Sequence, residues 1–362
     1  MERLLITLIL VCTMNNITNA QNPFYGQYHT PHEAVPFDRI ETEHYEPAIL
    51  EGIKLQNAEI EAIIQNPEKA DFTNTIEAFE ESGKLLDKVV AVFGNMLSAE
   101  TNDDLQELAQ KIMPLLSEHS NNITLNEKLF ARVKEVYNQK ETLQLTQEQK
   151  QLLENAYNSF IRHGANLEGE AREEYRRLTT ELSKLTLTFS ENNLKETNAY
   201  QMLLTKKESL AGLPEIIIEA AAETAKNEEK EGWAFTLHAP SYIPFMTYSD
   251  NRDLRQKLYM AYNTKCTHDN EFNNIDIVKK IANTRMKIAQ LLGYKDYAEY
   301  TLKKRMAENS KSVYKLLNQL LEAYTPTAQQ EYKEIQELAP LAKNRELISL
   351  SCLGTGVIIQ IN

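Results

Sequence analysis

LHAPSYIPFMTYSDNRDLRQKLYMAYNTKCTHDNEFNNIDIVKKIANTRMKIAQLLGYKDYAEYTLKKRMA, residues 237–307, is the stretch that decides how this chain is read. Its opening carries Pro240 and Pro244. Proline removes a backbone donor and biases the residue before it away from helix, so this part is expected to be extended. Helices follow. Asp250 or Asn251 supplies an N-cap for a helix with Leu254, Leu258 and Ala261 on one face. Asn274 is expected to cap a second, in which Ile277, Ile281, Ile288 and Leu292 recur at helical spacing until Gly293 stops it.

The same pattern fills the chain upstream. Pro47 begins a helix with Leu50, Ile53, Ile60 and Ile64 toward the core, ended by Pro67; Thr73 or Asn74 caps the next, with Ile76, Phe79, Leu86 and Val90 apolar. Asn102 opens a helix carrying Leu105, Leu108, Ala109 and Ile112, and Asn126 one carrying Leu129, Val133, Val136 and Tyr137. Thr146 with Gln149 has the form of a capping box. Ala171, Tyr175, Leu178, Leu182, Leu185 and Phe189 then alternate steps of four and three, a narrow seam for packing along another helix. Tyr200 to Leu204 breaks the run as a short strand, and Pro214 starts a helix through Ala225. Trp233, Phe235 and Leu237 alternate with Ala234, Thr236 and His238, so a small hairpin-like sheet is expected inside an otherwise α-helical protein. Downstream, Ser310 is expected to cap a last helix with Val313, Leu316, Leu317, Leu320 and Tyr324, which Pro326 interrupts.

Composition agrees. Of 362 residues only 11 are Gly and 11 Pro, which suits long helices better than a turn-rich β architecture. Lys and Arg total 39 against 52 Asp and Glu, a net charge of −13 that repels phosphate backbones and anionic lipid; no nucleic-acid or membrane partner is expected. Met1-Glu2-Arg3, the apolar run Leu4 to Cys12 and Thr18-Asn19-Ala20 before Gln21 have the form of a signal peptide, so export is expected. The apolar run is too short for a membrane span. Cys12 raises a lipoprotein alternative, against which Val11 lacks the small residue such processing wants. Cleavage would leave Cys266 and Cys352, too few for a disulfide framework or a zinc cluster.

Several ordered blocks of residues 237–307 resemble one family. They are the Pro-x-x-x-Pro approach, Asn251-Arg252-x-x-Arg255 with Tyr259 and Ala261-Tyr262, Arg285 ahead of Ala289-x-Leu291-Leu292-Gly293-Tyr294, and Tyr297-Ala298 before Met306-Ala307. They are similar to the middle of the thimet-oligopeptidase-like zinc metallopeptidases, the peptidyl-dipeptidase and oligopeptidase A group, and weaker similarity extends back to about Asn22. The resemblance implies a mainly α fold, the multi-helix amino-terminal part of a zinc oligopeptidase (neurolysin-like) fold, forming one wall of a substrate channel. It also implies an enzyme that, when complete, hydrolyses short peptides in the periplasm, with peptidyl-dipeptidase action favoured. The expected organisation is a signal peptide at 1–20, a helical domain at 21–199, and a small β element with helices at 200–344 leading toward a catalytic domain. Residues 345–362 are expected to be an out-of-frame tail. Resemblance fades at about Asn344, and codons for Arg345 to Asn362 can be chosen that, read from the third base, encode the family's Pro-Trp-Asp-Trp-Gly-Tyr-Tyr.

The family's chemistry depends on a His-Glu-x-x-His helix, two histidines one turn apart holding zinc with the glutamate activating the bound water. That motif is missing here. The seven histidines are His29, His32, His44, His119, His163, His238 and His268, and no two stand four apart. No catalytic or metal-ligating residue is therefore expected in this chain, and no zinc, although the complete family enzyme uses it; which residues bind substrate is unknown from the sequence. His29, His32 and His44 lie among prolines, without a scaffold for a metal. Glu118 beside His119 and His32 beside Glu33 read as chance pairs. Cys266 with His268 reads as structural or surface rather than as a nucleophile and base. Arg252 with Arg255 reads as an ion-paired helix face rather than an anion site. The alternative to an inactive peptidase part is an exported helical interaction module without catalytic activity.

Overall fold

In the computed structural model the described residues are 22–338; the expected leader and the expected tail lie outside them. They divide into one unit of 22–187 with 290–293 and a second of 188–289 with 294–338. In the first, the chain enters through short helical turns. Asn22 accepts from the Phe24 backbone N–H and donates to the His44 carbonyl (2.8 Å), which seats Phe24 in the core. Helix α1 (Tyr45–Gln65) follows, and its two ends feed two separate cores. Tyr45, Ala48 and Ile49 pack with Phe24 and with Leu86, Val89 and Phe93 of helix α2 (Lys84–Ala99). Ile60 and Ile63 join Phe72 and Ile76, with helices α3 (Asp103–Thr124), α4 (Glu127–Asn138) and α5 (Gln147–Arg162) coming after them in the chain.

Gly52 is what lets α1 lie so close to α2, since a Cβ there would stand 2.9 Å from the Leu86 Cα. The buried stripe of α1 is accordingly set by Ala48, Ile49 and Gly52, and Leu50, expected inward, is 45% exposed. Asn102, Asn126 and Thr146 each take a backbone N–H three residues on, as expected of N-caps. The expected cap at Thr73 or Asn74 is replaced by Asp71. Asp71 accepts from the Asn74 N–H (2.7 Å) and Asn74 returns the bond to the Asp71 N–H (3.0 Å), opening a π-helical turn at Phe72–Glu77. Gly83, at φ +79°, then breaks what was expected as one helix before α2 begins.

Helix α6 (Gly169–Ala199) is the long seam helix. After it comes strand β1 (Gln201–Leu204), and after helix α7 (Glu215–Asn227) strand β2 (Trp233–Thr236) pairs antiparallel with β1, Met202 opposite Phe235. The two strands pair as expected, and they are joined through α7 rather than by a tight turn. Gly232 precedes β2 at φ +115°, and a Cβ there would meet the Leu204 carbonyl at 2.3 Å, so the closing approach requires glycine. Met202, Phe235, Tyr242, Phe245 and Leu258 form the core of this second unit.

Residues expected to be extended around Pro240 and Pro244 instead form helix α8 (Ala239–Tyr248). Pro240 occupies the first turn, where its missing N–H has no intrahelical acceptor to lose, and burial of Tyr242 and Phe245 outweighs the one bond Pro244 forfeits. Asn251 caps helix α9 (Arg252–Asn263). Helix α10 (Ile275–Leu291) ends before Gly293 at φ +84°. Asn274 at its start sends its amide elsewhere, accepting from Asn192 (3.0 Å) and donating to the Phe189 carbonyl (2.9 Å). Helix α11 (Tyr297–Leu302) is capped by Asp296. Helix α12 (Ser310–Leu338) is opened by Asn309, which accepts from the Ser312 N–H, rather than by Ser310, and it runs through Pro326 without interruption. Its apolar side chains stand in solvent, Leu316 58% and Leu321 66% exposed. Among the described residues no helix is long and apolar enough to cross a membrane. The described residues are mainly α, with one small two-stranded sheet.

Candidate functional site

Most of the residues that carry the family resemblance do structural work. Asn251 accepts from the Leu254 N–H (3.1 Å). Arg255, expected on an ion-paired face, instead donates to the Ser249 carbonyl, and burial holds its guanidinium below the usual arginine range. Tyr262 stacks on Tyr242 with ring centroids 4.2 Å apart, and Arg285 lies 5.4 Å from the centre of the Tyr297 ring.

The histidines are spread through separate local networks. His29 and His32 are exposed at left-handed φ, and His44 accepts from the Glu41 N–H (2.9 Å) in a reciprocal cap. His119 is buried; its Nε2 donates to Gln56 Oε1 (2.7 Å), and burial holds its imidazole below the ordinary value. His163 donates to the Ser159 carbonyl, and His238 contacts Thr236 and Asn198. Among the described residues no three His, Cys, Asp or Glu side chains gather in a way that could hold a metal ion. The zinc implied by the resemblance therefore has no fitting donor set in this part of the chain.

One cluster does gather polar groups around a cavity, within the second unit. Glu196, near the end of α6, is nine-tenths buried. One carboxylate oxygen accepts from the Cys266 backbone N–H and the other from His268 Nδ1 (2.7 Å). The Thr264 hydroxyl lies 3.2 Å from His268 Nε2 and donates to the Met260 carbonyl (2.7 Å). Burial by itself would raise the Glu196 carboxyl, but the hydrogen bonds from His268 and from Cys266 bring it below the usual carboxylate range, so it is ionised at neutral pH. Cys266 behaves oppositely. Burial and the neighbouring Glu196 push its thiol up to about 11, so it stays protonated and is no nucleophile at neutral pH. Cys266 and His268 are thus brought together, as two donors to one carboxylate. Glu196 itself carried no sequence signal, lying 70 residues from Cys266.

The cluster forms one side of a cavity of about 440 Å³ whose remaining wall is Tyr200, Leu237, Met260, Ala261 and Thr267. The Tyr200 hydroxyl is buried and has no hydrogen-bond partner among the described residues.

A helical protein with a small strand pair and a carboxylate-lined pocket defines a scaffold class shared by many activities, and sequence comparison narrows it. The profile of peptidase family M3 matches residues 245–350. The chain is 34% identical over 316 residues to the dipeptidyl carboxypeptidase of Escherichia coli K12, covering 87% of this chain and 46% of that protein. It is 30% identical over 322 residues to oligopeptidase A of Salmonella typhimurium (88% and 47%), and 28% identical over 338 residues to a probable cytosolic oligopeptidase A of Arabidopsis thaliana (91% and 46%). These matches support a thimet-oligopeptidase-like M3 peptidase family for this chain. The chain spans about half the length of the curated relatives it matches.

Proposed function

We propose that this chain is the helical, non-catalytic part of an exported M3 peptidase that acts on short peptides, and that by itself it neither binds zinc stoichiometrically nor hydrolyses peptides. The supporting observation is the conjunction of similarity along 87% of the chain with a donor arrangement that supplies no zinc site among the described residues. Hydrolysis in this family calls on a zinc-bound water, and zinc needs three protein ligands in fixed geometry. Here the histidines serve caps and core contacts instead. Peptidyl-dipeptidase action of the complete enzyme is favoured by the 34% identity to a dipeptidyl carboxypeptidase. Export is proposed from the leader-like Met1–Ala20, with Gln21 as the first mature residue.

The test is metal analysis of the purified chain after dialysis, alongside a fluorogenic short-peptide assay. Less than a tenth of an equivalent of zinc and no chelator-sensitive turnover are expected, on the order set by the missing ligand set. One equivalent of tightly held zinc with chelator-sensitive hydrolysis overturns the proposal. Amino-terminal sequencing of the protein from its source cell tests export separately, and an intact Met1 removes it.

A further inference from the structure

The cavity beside Glu196 has a chemistry that points to one kind of ligand. We propose that it binds a primary ammonium group carried on a short apolar body, of the class presented by the amino-terminal residue of a peptide with an aliphatic side chain. Charge decides the polar end. Glu196 is an ionised carboxylate, nine-tenths buried, that accepts from the Cys266 backbone N–H, the Cys266 thiol and His268, three donors against about four lone-pair sites, which leaves acceptor capacity for a ligand. Among the described residues no lysine or arginine lines the cavity. Lys265, beside Cys266 in sequence, is committed to the Thr197 hydroxyl (3.0 Å) and lies over the Tyr262 ring (4.6 Å). A ligand carboxylate would thus enter next to a buried negative charge with only the Glu196-bound imidazole to meet it, and that is costly. An ammonium would bring three donors to a wall that offers acceptors: Glu196 and the Thr264 and Thr267 hydroxyl oxygens.

Shape decides the rest. Leu237, Met260 and Ala261 make the other side apolar, and a volume of about 440 Å³ accommodates one aliphatic residue rather than a folded chain. The peptide source of the amine rests on the peptidase reading above; the pocket and its preference for an amine do not.

The experiment is a titration of the purified 362-residue chain by calorimetry or amide chemical shifts with leucinamide, N-acetyl-leucinamide, N-acetyl-leucine and isoamylamine. Leucinamide is expected to saturate a single site. Acetylation of its amine is expected to weaken binding roughly tenfold or more, the size of one charge-assisted hydrogen bond, and N-acetyl-leucine is expected not to bind. Glu196→Gln keeps an acceptor for the Cys266 N–H and is expected to weaken leucinamide by a similar factor. If that variant does not fold, Ala261→Leu, which fills the cavity from the apolar side, provides the same readout. Isoamylamine binding as well as leucinamide supports the site and assigns it to small amines generally; a clear preference for leucinamide assigns it to peptide termini. No saturable binding, equal affinity for the acetylated probe, or full affinity in a folded Glu196→Gln or Ala261→Leu chain overturns the proposal. None of these measurements depends on zinc or hydrolysis, so failure here is distinct from failure of the peptidase reading.

Discussion

Helices α2 and α12 look alike in sequence and end in opposite surroundings. In α2, Leu86, Val89, Val92 and Phe93 are buried against α1 and the entry segment; in α12, Leu316, Leu317, Leu320 and Leu321 face solvent. Both carry an apolar stripe at helical spacing. An amphipathic pattern therefore states that a face is suited to covering, and tertiary context states whether anything covers it. Single surface leucines need no explanation, but four on one helix with Tyr314 and Tyr324 make a patch.

The sharpest way to break this contrast is to truncate equivalent positions. Phe93→Ala removes a ring that is 1% exposed and lies 5.1 Å from the Tyr45 ring centre, and it is expected to cost about 4 kcal/mol in urea unfolding. A loss under about 1 kcal/mol would mean that the two helices differ less than their burial suggests. A smaller loss, about 1 kcal/mol, is expected for Asn126→Ala, which strips the side-chain acceptor from the Leu129 N–H (3.0 Å) at the start of α4.

Acid sharpens the buried side of the comparison again. Because burial lowers the His119 imidazole below its ordinary value, the unfolded chain takes up the proton first as pH falls. His119's contribution is complete above about pH 6.5, the unfolded value, and is lost as pH drops from there through its lower folded value. Unfolding midpoints in urea should thus fall from pH 7 to pH 5 in the parent chain, and His119→Gln should flatten that part of the profile. An unchanged slope in the variant assigns the effect to other groups. The smallest effect is expected on α12: Leu316→Lys with Leu321→Lys, both exposed, should move unfolding by no more than about 0.5 kcal/mol while reducing self-association in sedimentation. A loss of several kcal/mol would show that this face is covered in solution.

What was legible in the sequence was local. Asn102, Asn126, Thr146 and Asn251 announce helix starts because a cap is a bond between residues three apart, and the strand pair announces itself through alternation at Trp233 to Leu237. What was misread turned on packing. Pro244 and Pro326 sit inside helices, because the loss of one backbone bond is outweighed by neighbours along the helix and, at Pro244, by the burial of Phe245. Leu50 faces outward because Gly52, not the leucine, sets which side of α1 meets α2. The pocket was illegible for a different reason. Cys266 and His268 stand two residues apart in sequence, but the carboxylate that gives them meaning comes from α6, and no spacing rule connects the two segments.

The strand pair carries a kinetic consequence. A hairpin with a two-residue turn closes early, since its ends start near one another, but β1 and β2 are separated by 205–232 with α7 inside that span. Each doubling of a loop adds about 0.6 kcal/mol of closure entropy, so an unstructured connection of this length would hold the ladder open. Once α7 has formed, the free span shrinks, and the helix, which packs on β2, brings Ala221 to the core that Phe235 joins. Helix first, ladder second is the order this connectivity favours. Substitutions in α7 should then slow refolding, whereas those in the β1–β2 register should chiefly speed unfolding.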